Sequence, residues 1–317
     1  GLLATGGSTN HTIHLLAMAA AAGIELTWED FADLSAIIPL VARVYPNGTA
    51  DVNAFHDAGG TTYVMRTLIE HGLMFGDIPM LGGKTLAASL AVPQLDEGTD
   101  KDAAPKLAWH SVPDVAGDNM ILRPANAPFQ SEGGLKHMRG NLGEGVMKIS
   151  AVKPEHRVVE APALVFDHQD DMLRAYKDGK LERDFVAVVR FQGPGANGMP
   201  ELHKLTPSLG VLQDKGFRVA LVTDGRMSGA SGKVPAAIHM SPEALQAGPL
   251  ARVRDGDMIR LDGNAGTIDT DADITSRTDA PAPHVDVTFG RDLFSAFRLG
   301  VGEARRGGSI FSFDHGQ

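Results

Sequence analysis

Cysteine is absent from all 317 residues. This excludes disulfides and thiolate chemistry within the chain and agrees with a cytoplasmic setting. Positive charge is scarce as well: 29 Lys and Arg stand against 39 Asp and Glu, a formal charge of −10. A nucleic-acid binder would show a basic stripe, so that partner class is set aside. A small anionic substrate is not, because local charge need not follow net charge. No apolar run reaches membrane-spanning length; the longest, around HLLAMAAAAGIEL, breaks at Gly23 and carries a helical pattern. The G-x-x-x-x-G-K-[ST] spacing of a P-loop is missing, and no G-x-G-x-x-G opens a helix. The run GPGANG is glycine-rich without the dinucleotide spacing. The opening GLLATGGSTN has no initiator Met and no signal-peptide charge pattern, and it enters as if mid-strand. We expect the chain to be part of a longer polypeptide.

What is present divides into two regimes. Residues 1 to about 80 read as helical. Ser8 or Thr9 is placed to cap a helix through HTIHLLAMAAAA, which Gly23 would end. Thr27 and Asp30 form a capping-box pattern before WEDFADLSAIIPLVARV, and PNG at 46–48 marks a turn. Between about 81 and 118 the pattern weakens into mixed polarity, as at a domain boundary. Beyond it come the short β-like segments MILRP, VMKISAV, RVVEAPALVF, FVAVVRF, RVALVTD, DMIRLD and GTIDTD. Two helical patterns, HQDDMLRAYKDG and PELHKLTPSLGVLQDKG, lie among them. From Ala161 to Asp224 this gives strand–helix–strand–helix–strand, a βαβ arrangement with parallel strands. The flanking strands lack helical crossovers and must pair differently. A mixed sheet curled into a barrel, with helices outside, satisfies both facts.

Three glycine-rich turns are candidates for chemistry: TGGSTNH (5–11), QGPGANGMPE (192–201) and TDGRMSGASGK (223–233). The second and third leave carboxyl ends of neighbouring strands, where α/β proteins bind ligands. The third is nearly bare of side-chain bulk, which lets a ligand approach backbone N–H groups. An ordinary strand-to-helix connection would have the same composition. Glu201, placed in a first helical turn with Pro200, either complements the helix dipole or supplies an oxygen to Mg²⁺. Arg226 is a solvated charge or a partner for a carboxylate or phosphate. Ser228 is a turn serine bonded to its own backbone, or a base that would need strong help. His11 and His14 share a helix face without a nearby carboxylate, which is weak evidence for a metal.

LLATGGSTNHTIHLLAMA, YPNGTADVNAFHDAGG, FQGPGANGMPEL and VTDGRMSGASGKVPAAIHMSPEA together resemble the dihydroxy-acid dehydratase and 6-phosphogluconate dehydratase family, nearer its 6-phosphogluconate branch. The resemblance covers nearly the whole chain and implies the C-terminal half of such an enzyme. It implies an α/β protein: 1–85 as the last helices of an N-terminal catalytic domain, 86–118 as a linker, and 119–317 as a swivelling β-barrel flanked by helices. It further implies a hydro-lyase converting 6-phosphogluconate to 2-keto-3-deoxy-6-phosphogluconate, with an iron–sulfur cluster (4Fe-4S) and Mg²⁺ as cofactors. Ser228 then matches the base and Glu201 a Mg²⁺ ligand. Ser8, Thr9, Asn10, Arg226, Gly229 and Ser231 lie about the substrate, the first three arriving from the other domain. Ser231 is the second hydroxyl of the turn and an alternative base. The family's cluster cysteines would sit upstream, in the missing N-terminal half, and the assembly would be a cytoplasmic homodimer. Two other readings stay open: a dehydratase of an unphosphorylated sugar acid or dihydroxy acid, and a non-catalytic binding or assembly module. For a phosphate, Lys233, Lys204 and Arg226 are the candidate cations.

Overall fold

A computed structural model describes residues 1–96, 106–228, 232–284 and 292–311. Its contacts separate into two compact units, 1–7 with 35–133 and 8–34 with 134–317.

In the first unit, α1 (Leu2–Thr5) replaces the mid-strand entry read from the sequence. It is followed there by α4 (Val52–Asp57), α5 (Gly60–Glu70) and α6 (Leu86–Ser89). Asp51 caps α4, its Oδ1 accepting the Ala54 N–H at 2.8 Å. The stretch 86–118, expected as a linker, belongs to this unit and holds an antiparallel pair, β1 (Val92–Asp96) with β2 (Lys106–His110). MILRP does not form a strand; it contributes only an isolated bridge, Leu122 to Ala42.

The second unit contains α2 (His11–Ala21), most of α3 (Trp28–Ile37) and a closed barrel. Two sequence-level helices of residues 1–85 therefore count with the barrel. Thr27 and Asp30 do form the expected capping box: Thr27 N–H donates to Asp30 Oδ2 at 2.8 Å, and Asp30 N–H donates back to Thr27 Oγ1 at 3.3 Å. The cap of α2 differs from expectation. Asn10 occupies the position and makes no side-chain capping bond, and the Thr9 hydroxyl is committed to Met227 O.

The barrel strands are β3 (Leu135–Gly140), β4 (Gly143–Lys148), β5 (Val158–Phe166), β6 (Phe185–Val189), β7 (Val219–Thr223), β8 (Ala236–Ser241), β9 (Met258–Asp262) and β10 (Thr267–Thr270). They close in the order β10-β3-β4-β8-β7-β6-β5-β9. β5 to β8 run parallel, and the β3–β4, β4–β8, β5–β9 and β9–β10 pairs are antiparallel. Every residue of β6, β7 and β8 is buried. For β6 and β7 that follows from their crossovers: α7 (Gln169–Lys177) and α9 (Leu205–Asp214) cover the outer face, while the inner face fills the barrel. Val186, Val188, Ala220, Val222, Ala237, Ile259 and Leu261 belong to one continuous core.

The helix after β6 starts later than its sequence suggests. Pro194, not Pro200, opens a helical turn, α8 (Pro194–Asn197), and α9 begins only at Leu205. Glu201 is consequently outside any helix, in a parallel bridge with Arg226.

Candidate functional site

The site forms where the chain leaves β6 and β7. Asp224, fully buried at the end of β7, accepts three backbone N–H groups: Phe191 at 3.1 Å, Gln192 at 2.9 Å and Ala244 at 3.0 Å. It thereby ties the two strand-end loops to the segment after β8. Burial outweighs these donors and pushes its carboxyl up to about 6. Glu243 accepts Gly195 N–H at 2.8 Å and Ala196 N–H at 3.1 Å, gripping the GPGANG turn from outside. The glycines are required there, since a Cβ on Gly193 would lie 2.2 Å from the Glu243 carboxylate.

Arg226 crosses from the third turn to the second. Its Nε donates to Met199 O at 2.6 Å and its Nη1 to Glu201 Oε2 at 2.8 Å. Glu201 Oε1 accepts the Ser228 N–H at 2.8 Å and the His203 N–H at 3.2 Å. The bridge is closed by Leu202 N–H donating to Arg226 O at 3.2 Å, with the Leu202 side chain fully buried beneath it. Gly225 is needed at the crossing: a Cβ there would meet Gln192 and Leu202 side-chain atoms at 2.8 Å.

Ser8, Thr9 and Asn10 of the GGSTN turn belong to the same compact unit as the barrel. Thr9 Oγ1 donates to Met227 O at 2.5 Å. Thr12 Oγ1 donates to Thr9 O at 2.8 Å and lies 3.2 Å from Nδ1 of His239 on β8. Thr9, Thr12 and His239 are buried. Ser8 Oγ accepts the Asn10 N–H at 3.3 Å, and Asn10 Oδ1 is buried without a hydrogen-bond partner among the described residues. The structure thus brings Thr9, Arg226 and Glu201 into direct contact with residues 227–228. Gly229 and Ser231 lie outside the described residues.

Glu201 can offer a cation only the remaining acceptor capacity of a carboxylate that already takes Arg226 and two N–H groups. No cluster of metal-ligating side chains joins it among the described residues. His11 and His14 stay exposed, His11 Nδ1 at 2.9 Å from Ser8 O. Lys204 and Lys233 are exposed as well. A separate cavity of about 1240 Å³, lined among others by Trp28, His137, Glu144 and Arg305, contains none of the predicted site residues.

Sequence reasoning missed Asp224, Glu243, Thr12 and His239 as parts of this arrangement. Asp224 carries a readable signal, an acid ending an all-apolar strand. His239 carries a weaker one, a single ring in the otherwise apolar AAIHM. It has φ +61°, unusual for a residue with a side chain. Burial, with the charges of Arg226 and His14 behind it, pushes its imidazole down to about 3.

Residues 120–308 match the family model described as dihydroxy-acid/6-phosphogluconate dehydratase C-terminal, and residues 1–89 match its N-terminal counterpart. A phosphogluconate dehydratase of Pseudomonas aeruginosa is 55% identical over 98% of this chain and 51% of its own length. The Escherichia coli protein of that name is 49% identical over the same shares. A dihydroxy-acid dehydratase of Sulfurisphaera tokodaii is 36% identical over 85% of this chain and 45% of its own. The chain spans about half the length of the curated relatives it matches.

Proposed function

Because this chain belongs to the dihydroxy-acid/6-phosphogluconate dehydratase family, we propose that it forms the C-terminal part of a hydro-lyase that dehydrates 6-phosphogluconate to 2-keto-3-deoxy-6-phosphogluconate. The observation that carries this reading is the convergence on Ser228: Glu201 holds its N–H, and Thr9 holds the carbonyl of the residue before it. A small hydroxyl in a bare turn, fixed from both sides, suits a base that must approach a substrate carbon closely. In the proposed step Ser228, as its alkoxide, takes the proton from C2 and becomes the neutral alcohol. The C–H electron pair becomes the C2–C3 double bond as the C3–O bond breaks, and the departing hydroxide takes up the proton that Ser228 gained, leaving as water and restoring the alkoxide. The enol then loses its hydroxyl proton, gains one at C3, and is the 2-keto acid.

An iron–sulfur cluster and Mg²⁺ are part of the proposal and would supply Lewis acidity at the substrate oxygens. With no cysteine in the 317 residues, a thiolate-held cluster takes its ligands from chain outside them. Glu201 is the one described carboxylate here that would contribute to Mg²⁺. Lys204 and Lys233 are the exposed cations we assign to the phosphate; Arg226 is already engaged by Glu201 and Met199. We place the whole enzyme in the cytoplasm as a homodimer. Among the described residues, no helix is long and apolar enough to cross a membrane.

The test is a 2-keto-acid assay on the full-length protein, purified anaerobically with its cofactors loaded. Turnover should favour 6-phosphogluconate over gluconate and over a branched 2,3-dihydroxy acid. Faster turnover of an unphosphorylated acid would move the substrate assignment, and none on any of the three would sink the dehydratase reading.

A further inference from the structure

We propose that His239 is a positioning residue for the Ser228 turn, acting through Thr12 and Thr9; the catalytic meaning of this rests on the dehydratase reading above. The assignment begins with one proton. Thr12 Oγ1 sits 2.8 Å from Thr9 O, which can only accept, so the hydroxyl proton points there. The contact of Thr12 Oγ1 with His239 Nδ1, at 3.2 Å, then has its proton on the imidazole. His239 is the Nδ1–H tautomer, and its Nε2 is a lone pair, buried without a partner among the described residues. A low affinity for a second proton keeps the ring neutral, which agrees with its burial.

Thr12 is held at both ends. Its carbonyl accepts the Trp28 indole N–H at 2.9 Å, and that indole lies 6.2 Å from the His239 ring, tilted by 31°. Fixing Thr12 fixes the Thr9 carbonyl, and with it the backbone from which the Thr9 hydroxyl reaches Met227 O. His239 also grips the turn directly, its backbone N–H donating to Gly225 O at 2.9 Å. Residues 225 and 227 are therefore held from one strand position by two routes. A leucine would fill the volume without burying an unpartnered nitrogen, and its β-carbon would meet the same φ of +61°. What a leucine lacks is the donor for Thr12.

The test uses the full-length, cofactor-loaded enzyme with His239→Leu, His239→Asn and Thr12→Val. Asn tolerates the backbone angle and offers an N–H in place of Nδ1–H. His239→Leu and Thr12→Val should each lower kcat by about 10- to 100-fold, the scale of a misplaced reacting group, with KM for 6-phosphogluconate little changed. The double variant should be no worse than either single one, and His239→Asn should recover most of the loss. Hydrogen exchange of the peptide spanning residues 222–235 should quicken in the first two variants and not in the Asn variant. Multiplicative losses, a His239→Asn as slow as His239→Leu, or unchanged exchange in Thr12→Val would overturn the assignment. Thr12→Val and His239→Asn carry the test if His239→Leu does not fold. A wild-type protein without dehydratase activity would refute the functional reading alone, because the exchange measurement still decides whether the clamp exists.

Discussion

Glu201 and Ser228 stand 27 positions apart and meet through one hydrogen bond of 2.8 Å, from the serine N–H to the glutamate Oε1. The other oxygen, Oε2, is taken by Arg226. The carboxylate is thus the hinge between the two loops that leave β6 and β7. Its orientation depends on a guanidinium fork that reaches Met199 O and Glu201 at once.

A lysine at 226 has one ammonium and cannot make both bonds with that geometry. Arg226→Lys should therefore lower kcat in the full-length enzyme by at least about 10-fold through loss of alignment. The accompanying loss of stability should be about 1.5–3 kcal/mol, the range for hydrogen bonds to charged groups. Steady-state kinetics beside a urea titration separates the two effects.

Asp224→Asn tests the buried acid. The amide keeps one oxygen but turns an NH₂ toward a ring of three N–H groups that now converge on two oxygens. At least one buried donor is left without an acceptor, at a cost of about 1–3 kcal/mol. We expect a lowered urea midpoint with unchanged slope. Loosening of the 191–196 loop should appear as faster hydrogen exchange there. A midpoint equal to wild type would mean the protonated acid already dominates.

How much of this was legible in the sequence depends on where the information lies. FVAVV and VALVT read directly as buried parallel strands, and the βαβ run between Ala161 and Asp224 stands as expected. β8 was hidden because AAIHMS follows Pro235 closely and carries a ring among aliphatics. β3 was hidden because LKHMRG shows only Leu135 and Met138 to the core. Pro200 misled the reading of α9, since the residues after it form a bridge to Arg226 and not a helical turn. Ser228 and Glu201 could be singled out from their turns. The bond from Thr9 to Met227 spans 218 positions, and no local pattern encodes a contact of that separation. It exists because α2 counts with the barrel.

The two buried titratable groups give opposite pH signatures. His239 falls from its ordinary 6.5 to about 3 in the folded protein. Between those values the unfolded chain binds the extra proton, so this group makes stability rise with pH through that window and flat above 6.5. Asp224 rises from 3.8 to about 6. There the folded chain binds the proton, and stability falls as pH climbs through 3.8 to 6. Denaturation of His239→Asn across pH 3 to 7 should lose the rising component, and Asp224→Asn should lose the falling one. Parallel profiles for both variants and wild type would contradict these assignments.

The last expectation concerns the proposed base. Ser228→Ala removes one oxygen from a turn built of small residues, so it leaves little cavity, and its N–H bond to Glu201 persists. Stability should move by less than about 0.5 kcal/mol, as for substitutions outside the core. Turnover of 6-phosphogluconate should drop by about 10²- to 10⁴-fold, the usual cost of losing a general base. KM should change little if the hydroxyl acts on the reacting C–H and not in holding the ground state. Ser231→Ala is the necessary companion, because RMSGASGK offers a second hydroxyl three positions on. A Ser228→Ala enzyme with near-normal kcat at full cofactor occupancy, beside a dead Ser231→Ala, would transfer the role to Ser231. If both variants turn over normally, no hydroxyl of this turn takes the C2 proton, and the Glu201 and Thr9 contacts merely hold a loop.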